Sequence, residues 1–315
     1  MKQYVITKEE EGRRLFQFLK KLLPKAPKGL LYKCLRKKNI LLNGLKSDGH
    51  EFLKAGDQVS IFFSNDTISA FSSDSVPPCS SPLPSLAHWI LYEDAHIILV
   101  NKPAGLLTQR DKSKAPSLND ALLSYTGIER TISPSVCNRL DRNTSGIVIC
   151  GKTAVGLKTI NELIRKRRLK KYYLTIVYGS APEEGALTGF LSKNQAENQV
   201  SVTDEQFPGS HPVKTSYKKR KGLLLADAPC SLLSVRLITG RSHQIRAHMA
   251  SMGHPILGDR KYGTPDSIAL SETLSMPFQL LHAWKLVFPP YIPELPELSG
   301  KIFTAEPPWD DLLHK

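Results

Sequence analysis

Apolar positions recur along the first sixty residues with two different periods. In Arg14-Leu15-Phe16-Gln17-Phe18-Leu19 and Leu30-Leu31-Tyr32-Lys33-Cys34-Leu35 they fall at helical spacing among basic residues, which predicts two short amphipathic helices. Asn39-Ile40-Leu41-Leu42-Asn43-Gly44 reads as a strand running into an Asn-Gly turn, and Ala55-Gly56-Asp57 precedes a second strand over Gln58 to Phe62. From about residue 90 the pattern changes. β-branched runs at Ile97–Val100, Gly146–Cys150, Tyr173–Tyr178 and Leu232–Ile238 predict strands, and Ala154–Lys166 and His243–Met252 carry helical spacing. Such a mixture predicts an α+β domain: a mixed, largely antiparallel sheet with flanking helices. Residues 64–87, SNDTISAFSSDSVPPCSSPLPSLA, are dense in Ser and Pro and poor in large apolar side chains, the composition of a flexible linker. The expected organisation is a small N-terminal α/β domain over 1–63, the linker over 64–87 and a larger domain over 88–315.

Charge narrows the partner. Against 29 Asp and Glu stand 43 Lys and Arg, a formal net charge of +14, and this balance favours a polyanion. Residues 1–63 hold 14 of the basic residues and 6 of the acidic ones, so +8 of the excess sits in this segment. No run approaches the roughly 20 apolar residues of a membrane span, and the first residues lack the apolar stretch of a secretory signal, so no membrane association is expected. The five cysteines are scattered without a CxxC pair, which fits reduced thiols in a cytoplasm. No Gly-rich phosphate loop is present, so no nucleotide cofactor is expected. His243, His248 and His254 do not have HExxH spacing, and no metal is expected either.

The stretch most suggestive of chemistry is Cys137-Asn138-Arg139-Leu140-Asp141-Arg142-Asn143-Thr144-Ser145-Gly146, which sets one acid between two arginines just before a small-residue turn and an apolar strand. Neighbouring cations favour the charged carboxylate that a nucleophile requires. Taken alone, the same pattern also suits an Asp that only satisfies a loop.

In these residues the chain resembles the pseudouridine synthases that modify large-subunit ribosomal RNA and some tRNA. Arg139-Leu140-Asp141-Arg142 with Thr144-Ser145-Gly146 looks like their signature. Further stretches match in order: Leu91-Tyr92-Glu93-Asp94 with Asn101-Lys102-Pro103-Ala104-Gly105-Leu106, Lys171-Tyr172-Tyr173-Leu174, and Thr239-Gly240-Arg241-Ser242-His243-Gln244-Ile245-Arg246-Ala247-His248. The last continues through Gly253-His254-Pro255-Ile256 and Gly258-Asp259 to Tyr262-Gly263, and Leu281-His282-Ala283 also fits. Asn138 departs from the pattern, which usually has His before Arg-Leu-Asp; this bears on substrate choice more than on reaction type. Residues 1–63 resemble the small alpha-L RNA-binding domain.

The resemblance implies a cofactor-free isomerase that acts on RNA, with large-subunit ribosomal RNA favoured over tRNA, and that works as a monomer. It implies Asp141 as nucleophile, Tyr173 as a stacking platform that helps remove the C5 proton, and Arg246 as the partner of Asp141. Arg139 is expected to enter the RNA stack in place of the base. Arg142, Arg241, Arg165, Arg168 and Lys170, with Lys33, Arg36, Lys37 and Lys38 of the N-terminal domain, are expected to contact RNA. Base flipping gives these roles a physical reason, because a stacked uridine cannot present its glycosidic carbon to a carboxylate. Other readings of the same residues are a core tyrosine at 173, solvated arginines along the helix at 243–252, and a solvated basic helix end at 165–171. Lys102-Pro103 and Gly258-Asp259 read as turns around the cleft. The alternatives from other classes are a noncatalytic RNA-binding or ribosome-assembly protein and a metal-dependent ribonuclease, which would need clustered carboxylates.

If residues 1–63 are a separable affinity module, their removal leaves a folded catalytic domain whose RNA binding is weaker. The log–log salt dependence of binding should become shallower by about 0.7 to 0.9 for each phosphate that the shortened protein no longer neutralises. An unchanged slope in a salt titration would count against the module.

Overall fold

The computed structural model describes residues 2–8, 10–64, 67–68, 71, 85–111, 113, 115–127, 133–194 and 199–313. These fall into two compact units, one drawn from 1–82 and 127–133, the other from 83–126 and 134–315.

In the first unit, helices α1 (Leu15–Leu22) and α2 (Lys28–Arg36) pack on a four-stranded antiparallel sheet. Its strands are β1 (Lys2–Val5), β2 (Ile40–Leu42), β3 (Leu45–Lys46) and β4 (Gln58–Ile61), in the order β1-β4-β2-β3. Leu15, Phe18 and Leu19 of α1 and Leu31, Cys34 and Leu35 of α2 are the i, i+3, i+4 seams that meet Ile40, Val59 and Ile61. The Asn-Gly turn forms as read: Asn43 (φ 50) and Gly44 (φ 75) both take the left-handed conformation of a two-residue hairpin turn. Two strands escaped the pattern. β1 buries no side chain fully and β3 has only two residues, so neither shows an alternation to read. Lys33, Arg36, Lys37 and Lys38 are all exposed, on α2 and just after it. Of the expected linker, 65–66, 69–70 and 72–84 lie outside the described residues; Ile68 and Phe71 pack on the core of this unit.

The second unit is built on an eleven-stranded sheet. Along its main path β11 (Gln199–Thr203), β10 (Glu184–Asn194), β12 (His211–Leu225), β13 (Ala228–Leu237) and β9 (Lys170–Tyr178) come first. Then follow β14 (Leu281–Val287), β8 (Ser145–Gly151), β6 (Ile97–Lys102) and β5 (Ile90–Glu93), with β15 (Ile302–Thr304) beside β14 and β7 (Ser135–Val136) beside β8. Every pairing is antiparallel except β8 with β14. The α+β expectation with a largely antiparallel sheet therefore holds.

Both faces of the central strands are covered, which explains their unbroken apolar runs. Val148 and Cys150 face one core with Val100, Tyr173 and Val235, while Ile147 and Ile149 face another with Ile160 and Leu163 of α4 (Ala154–Arg165). Helix α3 (Leu118–Thr126) packs into the first of these cores, and α6 (Pro265–Thr273) into a further one with Leu174 and Ile176 of β9. The helix expected at His243–Met252 is α5 (Gln244–Ser251), and it is not amphipathic: Gln244, Ile245, Arg246, Ala247, His248 and Met249 are all buried. Its polar residues point into the protein, so the solvated-arginine reading of this helix fails for Arg246. Among the described residues no helix is long and apolar enough to cross a membrane.

Two buried histidines tie this unit together. The Ser145 hydroxyl of β8 lies 2.8 Å from His282 Nδ1 on β14, and His282 Nε2 lies 2.8 Å from the carbonyl of Ala305, just past β15. His248 on α5 meets Thr215 of β12 at 2.8 Å. Burial pushes both imidazoles down to about 4. In the unfolded chain each would titrate near its ordinary value of about 6.5, so between 6.5 and 4 the unfolded state binds the additional protons. Stability should therefore fall as pH drops from 6.5 toward 4, by about 1.4 kcal/mol per pH unit for each histidine. Urea denaturation across this range should show a proton slope that falls by up to one in His248→Gln; a slope unchanged by that substitution would contradict the buried neutral assignment.

Candidate active site

Asp141 lies in the loop between β7 and β8, and the segment 102–108 holds that loop in place. Lys102, fully buried, donates to the carbonyls of Pro103 (2.9 Å), Leu106 (2.9 Å) and Arg142 (3.1 Å), one acceptor for each ammonium proton. Burial pulls its pKa down to about 7, while the charge of Asp141 acts in the opposite direction. Thr108 donates its hydroxyl to the Leu140 carbonyl (2.8 Å) and accepts the Leu140 N–H (3.2 Å). Gly105 N–H donates to the Arg142 carbonyl, and Arg142 Nε donates back to the Gly105 carbonyl. Here Gly105 has φ 86, a conformation open to glycine at little cost. On the other side, Gln279 donates to the Thr144 hydroxyl at 3.1 Å. The amide oxygen of Asn138 accepts the Ile149 N–H at 2.8 Å, so the position that departs from the family pattern caps the backbone of β8.

From α5 the guanidinium of Arg246 reaches the same loop. Its Nε and Nη2 donate to Asp259 Oδ2 (2.6 Å) and Oδ1 (2.8 Å), and its Nη1 donates to Asp141 Oδ2 at 3.3 Å. The Asp259 carboxylate is fully buried and also accepts the N–H groups of Lys261 and Tyr262. Burial works against the charge of Arg246, but the two carboxylates outweigh it and raise its pKa. The Tyr262 ring lies 5.0 Å below the guanidinium. Because Val200 N–H donates to the Tyr262 hydroxyl, that hydroxyl is free to donate to His243 Nδ1 at 2.9 Å. His243 Nε2 then carries its proton toward Asp141 Oδ2, 3.9 Å away. Burial lowers the His243 pKa, against the pull of Asp141.

Asp141 Oδ2 is thus engaged, whereas Oδ1 accepts no hydrogen bond among the described residues, and the side chain keeps a quarter of its exposure. It faces a cleft of about 650 Å³ lined by Tyr173, Arg139, Arg142, Lys171, Arg241 and Arg246, a volume suited to a nucleotide-sized ligand. Tyr173 is buried in β9. Burial first, and the Asp141 charge second, hold its phenol above the ordinary value, so the hydroxyl stays protonated.

The residues expected at the site therefore separate into groups. Asp141, Tyr173, Arg246, Arg139, Arg142 and Arg241 come together around the cleft. Arg165, Arg168 and Lys170 are exposed but do not line it; Arg165 lies 3.8 Å from Glu162, and Arg168 donates to the Tyr291 carbonyl. The three histidines with a conceivable metal role go separate ways, to Tyr262, Thr215 and the Tyr178 carbonyl. What the sequence reading missed is the support. Asp259 and Lys102, read as turns, are the buried anchors of Arg246 and of the Asp141 loop, and His243 and Tyr262 were given no part. Their only signal was membership in the matched motifs.

A family model described as RNA pseudouridylate synthase matches residues 96–251. An uncharacterized RNA pseudouridine synthase of Mycoplasma genitalium is 32% identical over 294 residues, covering 91% of this chain and 89% of that protein. The chain belongs to the RNA pseudouridine synthase family. Ribosomal large subunit pseudouridine synthase C of Escherichia coli K12 is 31% identical, covering 84% of this chain and 80% of that protein. The protein of the same name from Vibrio cholerae is 29% identical, covering 90% and 87%. In fold, the chain is similar to the human RNA pseudouridylate synthase domain-containing proteins 1 and 4. The TM-scores are 0.55 and 0.57 at 22% and 20% identity, over 74% and 73% of this chain and 96% and 93% of theirs.

Asp259→Asn removes the charge that neutralises Arg246 inside the protein. Breaking a buried pair from one side destabilises by about 3–5 kcal/mol. Both thermal stability and uridine isomerisation should fall, with RNA binding largely retained. If melting and turnover both matched the wild type, Asp259 would not be the group that positions Arg246.

Proposed function

We propose that the cleft converts specific uridines of large-subunit ribosomal RNA to pseudouridine, with Asp141 as the nucleophile. The observation that carries the reading is the asymmetry of the Asp141 carboxylate: one oxygen is held by Arg246 and faces His243, and the other is open to a cleft that also contains Tyr173. A carboxylate tethered through one oxygen keeps its direction while the second oxygen remains available for attack.

In the reaction, the C1′–N1 bond of the flipped uridine breaks and a C1′–C5 bond forms. C5 loses its hydrogen as a proton, N1 gains one, and no electrons are exchanged with an outside reagent. Asp141 Oδ1 attacks the nucleoside or stabilises positive charge that develops on the sugar. The protonated phenol of Tyr173 suits a platform under the freed uracil, worth about 1–3 kcal/mol of stacking. A phenol kept protonated is a poor base for the C5 proton; the Asp141 carboxylate, once released from the sugar, is the better acceptor nearby. Arg139 and Arg142, on either side of Asp141, are placed to contact the RNA around the extruded base. The alpha-L resemblance of residues 1–63, their excess of +8 and the exposed Lys33, Arg36, Lys37 and Lys38 support a second RNA-binding surface in that unit. The substrate assignment rests on the names of the Escherichia and Vibrio relatives; activity on tRNA alone would be an outcome of the same assay.

RNA carrying tritium at uridine C5 should release label to water in step with pseudouridine formation. Asp141→Asn keeps the shape and removes the charge, so release should be undetectable while RNA affinity stays near wild type, because phosphate contacts dominate binding. Asp141→Glu moves the carboxylate by about one methylene, and displacement on the order of 1 Å can lower the rate about a hundredfold. Substantial turnover by the Asn protein would remove Asp141 as nucleophile. No release by the wild-type protein from any cellular RNA would leave RNA binding without catalysis.

A further inference from the structure

Lys171 is a cation of the cleft that the chemistry above does not use. Alternation along β9 sets it on the same strand face as Tyr173, two residues away, and both line the cleft. Its ammonium lies close over the turn that leads into α5, 3.4 Å from the point where a Cβ on Gly240 would stand. Burial lowers its pKa, and no nearby charge acts on it appreciably. Among the described residues it makes no hydrogen bond and no ion pair.

Lys171 is half-buried, and the contrast with the buried cations Lys102 and Arg246 is sharp. Lys102 has three carbonyl acceptors and Arg246 has two carboxylates. Even partial burial of an ammonium without such partners is unfavourable, and a folded protein tolerates it where a ligand brings the missing charge. That charge is not available from the cleft itself. The acids that line it are Asp141, which is held through Oδ2 by Arg246 and does not act appreciably on Lys171, and Asp111, which accepts the N–H and hydroxyl of Ser113. Arg139 and Arg241, on the same cleft, also lack an acid partner among the described residues. The anion must arrive with the substrate.

Two residues along a strand span roughly 7 Å, the scale on which a nucleotide's phosphate stands away from its base. We propose that Lys171 receives the phosphodiester of the flipped nucleotide whose base lies on Tyr173. The proposal rests on the isomerase reading and adds an anion subsite to it. Placing the phosphate between Lys171 and the Gly240 turn fixes the sugar relative to Asp141, so the contact selects a nucleotide within an RNA strand over a free nucleoside.

The test compares wild type with Lys171→Met, which keeps length without charge, and Lys171→Arg, which keeps charge, on large-subunit ribosomal RNA transcribed in vitro. With one phosphate no longer neutralised, the log–log salt dependence of binding should become shallower by about 0.7 to 0.9 for Lys171→Met, with weaker binding at low salt. Lys171→Arg should retain the wild-type slope. In parallel, acetic anhydride labelling of the wild-type protein, read by mass spectrometry, should modify Lys171 in the free protein, and the RNA should protect it. An unchanged slope in a folded Lys171→Met protein, or equal labelling with and without RNA, overturns the proposal. The labelling arm uses the native chain, so it decides the matter even if Lys171→Met does not fold. Neither arm needs turnover: tritium release by wild type with failure here would sink the subsite alone, whereas protection without tritium release would sink the isomerase reading alone.

Discussion

A guanidinium buried in a helix can exist only where its charge is met, and the second unit is arranged around meeting that of Arg246. Asp259 does so with two parallel hydrogen bonds from a fully buried carboxylate, an arrangement stronger and more directional than a single ion pair. The geometry that neutralises Arg246 leaves Nη1 as its remaining donor toward the cleft, and Asp141 Oδ2 lies there. Fixing one pair therefore also fixes the direction of the Asp141 carboxylate. Tyr262 extends the constraint by lying under the guanidinium and hydrogen-bonding to His243, whose other nitrogen faces the same carboxylate.

The loop that carries Asp141 is restrained from the opposite side by a different device. Lys102, Thr108 and Gly105 engage the backbone of Leu140 and Arg142 and leave their side chains uninvolved, apart from the single bond from Arg142 to Gly105. Because most of the restraints fall on main-chain atoms, the side chains of Arg139 and Arg142 stay exposed while Leu140 and Asp141 between them are held. Restraint of the Asp141 carboxylate and exposure of its neighbours thus use different atoms of the same short loop.

The legible parts of this protein were those with a period or a motif. The two N-terminal helices, the Asn-Gly hairpin and the strands at 97–100, 146–150, 173–178 and 232–238 follow from apolar spacing, since each must bury a stripe or a face. The long polar strands β10 and β12 were not seen, because β12 alternates buried Val213, Thr215 and Tyr217 with exposed Lys214 and Lys218, and its basic residues mask the period. At the site, Asp141, Tyr173 and Arg246 were readable from the resemblance, and the cleft does bring them together. Lys102 and Asp259 adjoin turns, as read, but their burial was not legible, for a physical reason. A charged residue beside Pro or Gly looks solvent-facing in one dimension, and only the fold supplies the partners that make its burial tolerable.

The same distinction orders the cations of the cleft. Arg246 and Lys102 have their acceptors inside the protein, so they hold Asp141 and its loop before any substrate arrives. Lys171, Arg139 and Arg241 have none among the described residues, which suits them to an anion that arrives from outside the protein. Affinity for a polyanion can come from any exposed lysine, as the +14 of the chain makes plain. Selection of one nucleotide cannot. It requires a counter-charge wanted at one place, at a fixed distance from the aromatic ring and the carboxylate, and a partly buried cation without a partner meets that requirement in a way that surface charge does not.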